Sequence, residues 1–583
     1  MGIGFTIDTP VKVAHYGISS VVSLVDDILI EKMRAFYCEK LNIPFQEISD
    51  KIEDFRAKRI TAYLNLMDKI VDEKFTELKK SILEKGPEIE KYMDMLPDFA
   101  SIKEKFRELT EGDYQPKEVW EWVKANLTPG SIDVNIMTKL DKVNFLKKEK
   151  LPTEFNDAHA ALRGFAESNL RSSIILSAGL NARLFSYFEQ FKDFFPDKTG
   201  DIKKKIILKV SDFRSAMIQG KVFAKKGLWV SEYRIESGLN CGGHAFATDG
   251  FLMGPILEEF KNKRGELVQK LHDILVSSLK EKDRFIPDEP MPVKITAQGG
   301  VGTAEEHQLL LDYYNLDSVG WGTPFLLVPE ATNVDGHTRG LLEKAKEEDL
   351  YLSNISPLGV PFNSLKGNTK DLMKEAKIEK GKPGSPCPKK YLVSNTEFTE
   401  RAICVASRQY QKNKISLLEQ THGRQNGFQK EYDKVVDKSC ICVGLGTSAL
   451  LENNLDHKVE GPGVSICSGP NMAYFSETVS LKKMVAHIYG KAKLVKRNDR
   501  PNMFIKELEM YLDYLKNKID EVSGPLAEKQ KKYFLSFQEN LDEGINYYKE
   551  SFSTLLDKFG DTKSGFITNL ENLKNRLNSI KVS

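Results

Sequence analysis

The stretch 292-PVKITAQGGVGTAEEHQLLLDYYNLDSVGWGTPFLL-327 decides how this chain is read. A β-branched run, a Gly299-Gly300 turn, a segment able to form a helix and a second β-rich run ending in Gly322-Thr323 spell strand, turn, helix, strand. Two strands joined through a helix are parallel neighbours, because a parallel pair needs a crossover. Glycines at the end of a strand expose backbone N–H groups beside a helix N-terminus. That arrangement holds an anion, and barrels place a phosphate by their last two strands.

The same alternation extends outward. "VKVAH" (11–15), "SIDVNI" (131–136), "SSIILSAG" (172–179), "KKIILKV" (204–210) and "GLWVSEY" (227–233) precede the two strands above, separated by segments such as "GPILEEFKNKRGELVQKLHDILVSSLKEK". Seven candidate strands point to an α/β chain, a (β/α)8 TIM-type barrel with a large helical insertion and a C-terminal helical extension. The boundaries follow composition: 1–26 for the first barrel strand, 27–130 for a Lys-, Glu- and Leu-rich helical insertion, and 131–345 for the main part of the barrel. Residues 346–490 turn to Gly, Pro, Asn and Cys and read as an irregular appendage, and 491–583 read as an amphipathic helical hairpin suited to an oligomer contact.

The totals exclude some classes. Among 583 residues, 85 basic side chains face 83 acidic ones, so the net charge of +2 gives no steering toward nucleic acid. The chain lacks an eighteen-residue apolar stretch and its first residues lack a basic–apolar leader, so a soluble cytoplasmic protein with no membrane partner is expected. Seven cysteines are odd in number and sparse, which argues against a disulfide framework. No Cys-x-x-Cys pair occurs, and Cys440 and Cys442 would lie on opposite faces of an extended chain, so the expectation for residues 346–490 is free thiols and no metal.

One turn carries the chemistry. In 238-GLNCGGHAFATDG-250, Gly242 and Gly243 let backbone approach a bulky planar ligand, and His244 follows them. An imidazole titrates near neutral pH and serves as base or acid. Cys241 beside it reads as space-filling, and His307 and His337 are given no role.

The order "PVKVAHYG", "DVN", "SAG", "LKVS", "SGLNCGGH", "TAQGGVGT", "VGWGTPFL" resembles the nitronate monooxygenase (2-nitropropane dioxygenase) family, FMN-binding TIM barrels related to flavin-dependent enoyl reductases. "EATNVDGHTRGLLEKA", "SPLGVPFNSLKGN" and "KSCICVGLGTSAL" resemble later segments of that family. The resemblance implies an FMN-dependent oxidoreductase that oxidises a nitroalkane, nitronate or similar small carbon acid with O2. It implies that Ala14, His15 and Tyr16 line the flavin ring through backbone contacts, that Asn135 reaches it from the next strand, and that Gly299, Gly300, Gly322 and Thr323 hold the phosphate. Ser237, Gly242 and Gly243 complete the cofactor set, and His244 is the catalytic residue. Asn240 stands where that family usually has an acid, and Ser237 where a glutamine is frequent. The alternatives are a flavin-dependent enoyl-thioester reductase and a barrel retained as a binding or assembly module.

Overall fold

Seven strands form one parallel sheet: β1 (Ser20–Ser23), β2 (Ile132–Ile136), β3 (Ser173–Leu176), β4 (Lys205–Val210), β5 (Val230–Glu236), β7 (Lys294–Gln298) and β8 (Ser318–Gly320), hydrogen-bonded in that order. The short β6 (Gly243–His244) belongs to a second sheet, antiparallel with β9 (Leu350–Ser353) and β10 (Phe362–Leu365) in the order β9-β10-β6. This computed structural model describes residues 3–582 apart from 85, 99, 113–114, 178, 423–426, 523–524 and 556–561. The parallel sheet is curled, and among the described residues no eighth strand closes it between β8 and β1. The architecture is therefore α/β with a half-barrel sheet, where the sequence leads one to expect a closed barrel.

Side-chain alternation separates the two faces of the sheet. Val22, Val134, Ile174, Leu176, Leu208, Tyr233, Ile235 and Ala297 point to the helix-covered face and are buried. Gly220 of the Phe213–Ala224 helix lies so close to Tyr233 that a Cβ there would stand 2.3 Å from its hydroxyl. The opposite, concave face carries Asp133, Asn135, Lys209, Glu232, Arg234, Glu236, Thr296 and Gln298, a polar lining for the hollow of the curl.

The first strand lies later than "VKVAH" suggests. Thr9–Val13 is a short helix with Pro10 in its first turn, where a fixed φ and a missing N–H suit a helix start better than a strand. Gly17, at φ 80°, then reverses the chain, and "SVVS" at 20–23 pairs with β2 in the register Ser20↔Ile132.

Helices occupy the chain between β1 and β2, from Asp27–Lys40 to Pro116–Asn126. Some of them share a small apolar cluster that includes Phe75, Ile82, Tyr92, Val119 and Val123. A single larger core unites the rest, from Ile3 to Leu577. Residues 346–490 are more regular than their composition suggests, with β9, β10 and five α-helices among the described residues. Three helices, Met503–Asp520, Glu528–Leu555 and Thr562–Ser579, stand where a hairpin is expected. The first is not a free surface: Phe504, Leu508, Tyr511 and Leu512 are 0% exposed inside the main core.

Candidate active site at the strand ends

The Gly-Gly-His turn follows the C-terminal end of β5 and is held from outside the parallel sheet. Phe362 pairs with His244 and Asn363 with Gly243 across β10 and β6. The Asn363 amide donates to the carbonyls of Leu239 (3.0 Å) and Cys241 (2.5 Å), and the Phe246 N–H closes the turn onto Gly238 O at 2.8 Å. His244 Nε2 lies 2.7 Å from Ser356 Oγ, and its ring meets Phe362 edge-on at 5.2 Å. Ser356 Oγ also accepts the Leu358 N–H at 3.2 Å. Burial, followed by the charges of Lys139 and Lys209, lowers the imidazole pKa to about 4. At neutral pH it is an uncharged proton acceptor.

Below this turn the concave face supplies a charged network. Lys209 Nζ pairs with Glu236 Oε2 at 2.9 Å, and Gln298 Nε2 donates to the other oxygen of Glu236. Burial pushes the Glu236 carboxyl up, but Lys209 and Gln298 outweigh it and hold it below its ordinary value. Lys139 Nζ stands 3.7 Å from the centre of the exposed Phe246 ring. Asn135 shares this face and is part-exposed, as are Lys209 and Glu236.

The expected cofactor residues divide into three groups. Asn135, Gly243, Gly299, Gly300, Gly322 and Thr323 lie on or beyond the C-terminal ends of the strands, the side where His244 stands. Ser237 and Gly242 are near but turned into protein: Ser237 Oγ donates to Glu507 at 2.6 Å, and a Cβ on Gly242 would stand 2.3 Å from Cys467 O. Ala14, His15 and Tyr16 are not brought to His244 at all. They precede β1, and Ala14 O accepts the N–H of Gly130 just ahead of β2, so they sit at the N-terminal edge of the sheet. His15 is held near pKa 4, chiefly by burial and then by Lys74, and Tyr16 lies 3.5 Å from Glu88 of the inserted helices. The displaced first strand is the reason.

Two observations test the fit of a flavin phosphate. The backbone N–H groups of Gly299, Gly300, Gly322 and Thr323 donate to no partner among the described residues. Thr323 Oγ1 accepts the Gly469 N–H at 3.0 Å and keeps its own proton to donate. Gly243, at φ 79°, has nothing within 4 Å of an added Cβ, so the space beside His244 is open. These residues fit an anion and a flat ring. Gly299 and Gly300 have a second reason to be glycine, since a Cβ would meet Cys241 Sγ at 2.6 Å or Asn240 Nδ2 at 2.2 Å.

Reasoning from sequence missed Lys209, Glu236, Gln298 and Ser356. The first three stand at the last inward-facing position of their strands, a signal that alternation could have supplied. Ser356 had none, because it reaches His244 across 112 residues of chain. Asn240, where an acid is usual in the resembled family, donates its amide to Met503 O at 3.2 Å, a bond that an ionised carboxylate could not make. His307, given no role, accepts the Trp321 indole N–H at 2.9 Å. A cavity of about 860 Å³ opens elsewhere, beside Asp54, Glu154, His159, Arg163 and Tyr187. Arg163 there is already committed to Asp54, Glu154 O and Tyr187.

No family model and no curated protein matches this chain. Among solved structures, it is similar to the enoyl reductase domain of MlnA from the macrolactin biosynthesis cluster of Bacillus amyloliquefaciens. The identity is 14%, over 73% of this chain and 89% of that one, with a TM-score of 0.32. A likeness of that size assigns no family.

Proposed function

We propose that this protein is an FMN-dependent oxidoreductase of nitronate monooxygenase type, acting on a nitroalkane or similar small carbon acid. The observation that carries the reading is a neutral imidazole, His244, held beside an open glycine and two lysines at the mouth of a polar half-barrel. FMN supplies the redox step when bound. The N–H groups of Gly299, Gly300, Gly322 and Thr323, with the Thr323 hydroxyl, would hold its phosphate, and Asn135 and Gly243 would border its ring.

The chain's own part is proton transfer and charge placement. In the tautomer that donates Nε2–H to Ser356 Oγ, the Nδ1 lone pair is left as the base, and it takes the proton from the carbon beside the nitro group. The positive charge of Lys139 favours the anion so formed, while that of Lys209 is offset by Glu236. At pH 7 the His244 imidazole is unprotonated and free to accept a proton, the role that carbon-acid oxidation asks of it.

An absorption spectrum and one substrate comparison test this. Purified or FMN-reconstituted protein should be yellow and should consume O2 with a neutral nitroalkane. A protein that cannot be loaded with FMN, or one that reduces an enoyl thioester with a nicotinamide cofactor and leaves nitroalkanes untouched, overturns the proposal.

A further inference from the structure

A second opening in the molecule is built around a histidine. The cavity of about 860 Å³ lies between the start of the Phe55–Lys80 helix and the segments that follow β2 and β3, and no residue of the flavin set borders it. His159, in the Asp157–Ala166 helix, lines this cavity and is 2% exposed. Its Nδ1 stands 2.6 Å from Asp141 Oδ2, and Asp141 is fixed in turn by the Ala158 N–H at 2.8 Å and the Asn156 amide at 3.2 Å. An ionised carboxylate only accepts, so the pair selects the tautomer with the proton on Nδ1 and the lone pair on Nε2. Nε2 has no hydrogen-bond partner among the described residues, and it is not sealed off from open space.

A donor stands beside that acceptor. The Tyr187 ring lies 5.0 Å from the imidazole, and its hydroxyl accepts from Arg163 Nη1 at 2.7 Å. Arg163 is itself held by both oxygens of Asp54 and by Glu154 O. One lone pair of Tyr187 is therefore occupied, and its proton meets no acceptor among the described residues. Both groups are oriented before anything binds, which lowers the ordering cost of a ligand that uses them.

We infer that the cavity binds an uncharged, polyhydroxylated ligand of the sugar class, with one hydroxyl bridging Tyr187 and His159. A hydroxyl accepts from the one and donates to the other. An ammonium has no lone pair for the Tyr187 proton, and a carboxylate or phosphate would set its own lone pairs against Nε2. The charges around the cavity agree. Lys58, Arg163 and Arg183 are matched by Glu53, Asp54 and Glu154, so the walls select neither an anion nor a cation. Phe155 adds an aromatic surface for the C–H face of a sugar ring, and Thr153 and Gln190 add groups that both donate and accept. Pockets of roughly 300–1,000 Å³ enclose drug-sized molecules, and a mono- or disaccharide falls in that range.

The test uses the full chain and a panel of free sugars: glucose, galactose, mannose, N-acetylglucosamine, maltose, cellobiose and lactose. Maltotetraose and cellotetraose tell a free sugar from the end of a glycan chain, both within the assigned class. Calorimetric titration should find saturable binding of at least one of these, and neither adenosine monophosphate nor glutamate should displace it. Tyr187→Phe keeps the ring, removes the hydroxyl and should weaken that binding roughly tenfold. Diethyl pyrocarbonate, which attacks an imidazole lone pair, should label His159 in the wild-type protein. The bound sugar should block labelling there and leave the exposed His337 labelled, a readout that stands even if the variant misfolds. The assignment is overturned by an absence of saturable binding across the panel, by displacement with either charged probe, or by unchanged affinity in a folded Tyr187→Phe protein. Labelling of His159 that is absent, or indifferent to the sugar, overturns it equally.

Discussion

The half-buried His244 and the buried Glu507 are titratable groups shifted in opposite directions, and each shift has a measurable consequence. Since His244 stays uncharged down to about pH 4, the acid limb of the rate profile should fall near 4, well below an ordinary histidine. His244→Gln should keep the flavin spectrum and lose about a hundredfold to ten-thousandfold in turnover of a neutral nitroalkane. Turnover equal to wild type would remove His244 as the base. Glu507 is fully enclosed, accepting from Ser237 Oγ–H and the Met253 N–H, and burial raises its pKa from 4.5 to about 7. The folded protein therefore binds a proton there that the unfolded chain has released. That contribution is fully present below about pH 4.5 and is lost as pH rises through 7, on the order of 3 kcal/mol in all. Glu507→Gln should flatten this slope in urea unfolding measured at pH 5 and pH 8, and an unchanged slope would contradict the assignment.

At the scale of elements, the Gly-Gly-His turn is fixed by its neighbours on one side only. Gly242 abuts the carbonyl of Cys467, whereas Gly243 faces open space with a positive φ. Gly242→Ala forces the turn and the 467–469 segment apart and should cost roughly 1–3 kcal/mol. Gly243→Ala meets only the left-handed backbone penalty of about 1 kcal/mol. Paired thermal melts should rank Gly242→Ala as the more destabilised, and the reverse order would mean that the turn is not packed as described. The strands show what is legible locally. Six of the seven sheet strands overlap the runs read from the sequence, although β5 lies three residues later than "GLWVSEY" and β8 stops at Gly320, with Thr323–Leu327 turning into a 3-10 helix. β1 was hidden because "VKVAH" and "SVVS" carry the same β-branched signal. Only pairing with β2 chooses between them.

For the whole molecule, the C-terminal helices belong to the core that supports the site. Arg500 reaches Glu306 at 2.8 Å and Gly300 O at 2.8 Å, and Met503 N–H donates to Glu306 at 2.7 Å, so the segment around 500 braces the Gly299-Gly300 turn. Each of Phe504, Leu508 and Leu512 adds about 1.5–3 kcal/mol by burial. Removing residues 501–583 should therefore abolish cooperative unfolding and expose apolar surface to a dye such as ANS. A truncated chain that melts cooperatively and still binds flavin would show the helices to be dispensable.

The sequence alone determined what depends on local periodicity and local backbone chemistry: the strand–helix alternation, the glycine ends at 299–300 and 322–323, the helices between β1 and β2, and the turn that presents His244. It could not determine what depends on meetings between distant residues. The choice of first strand, the open edge of the sheet and the Ser356 partner of His244 are of this kind. So is the use of Ser237 by Glu507. Each is decided when buried polar or apolar groups must find partners in three dimensions, and the spacing of residues along the chain holds no record of that search.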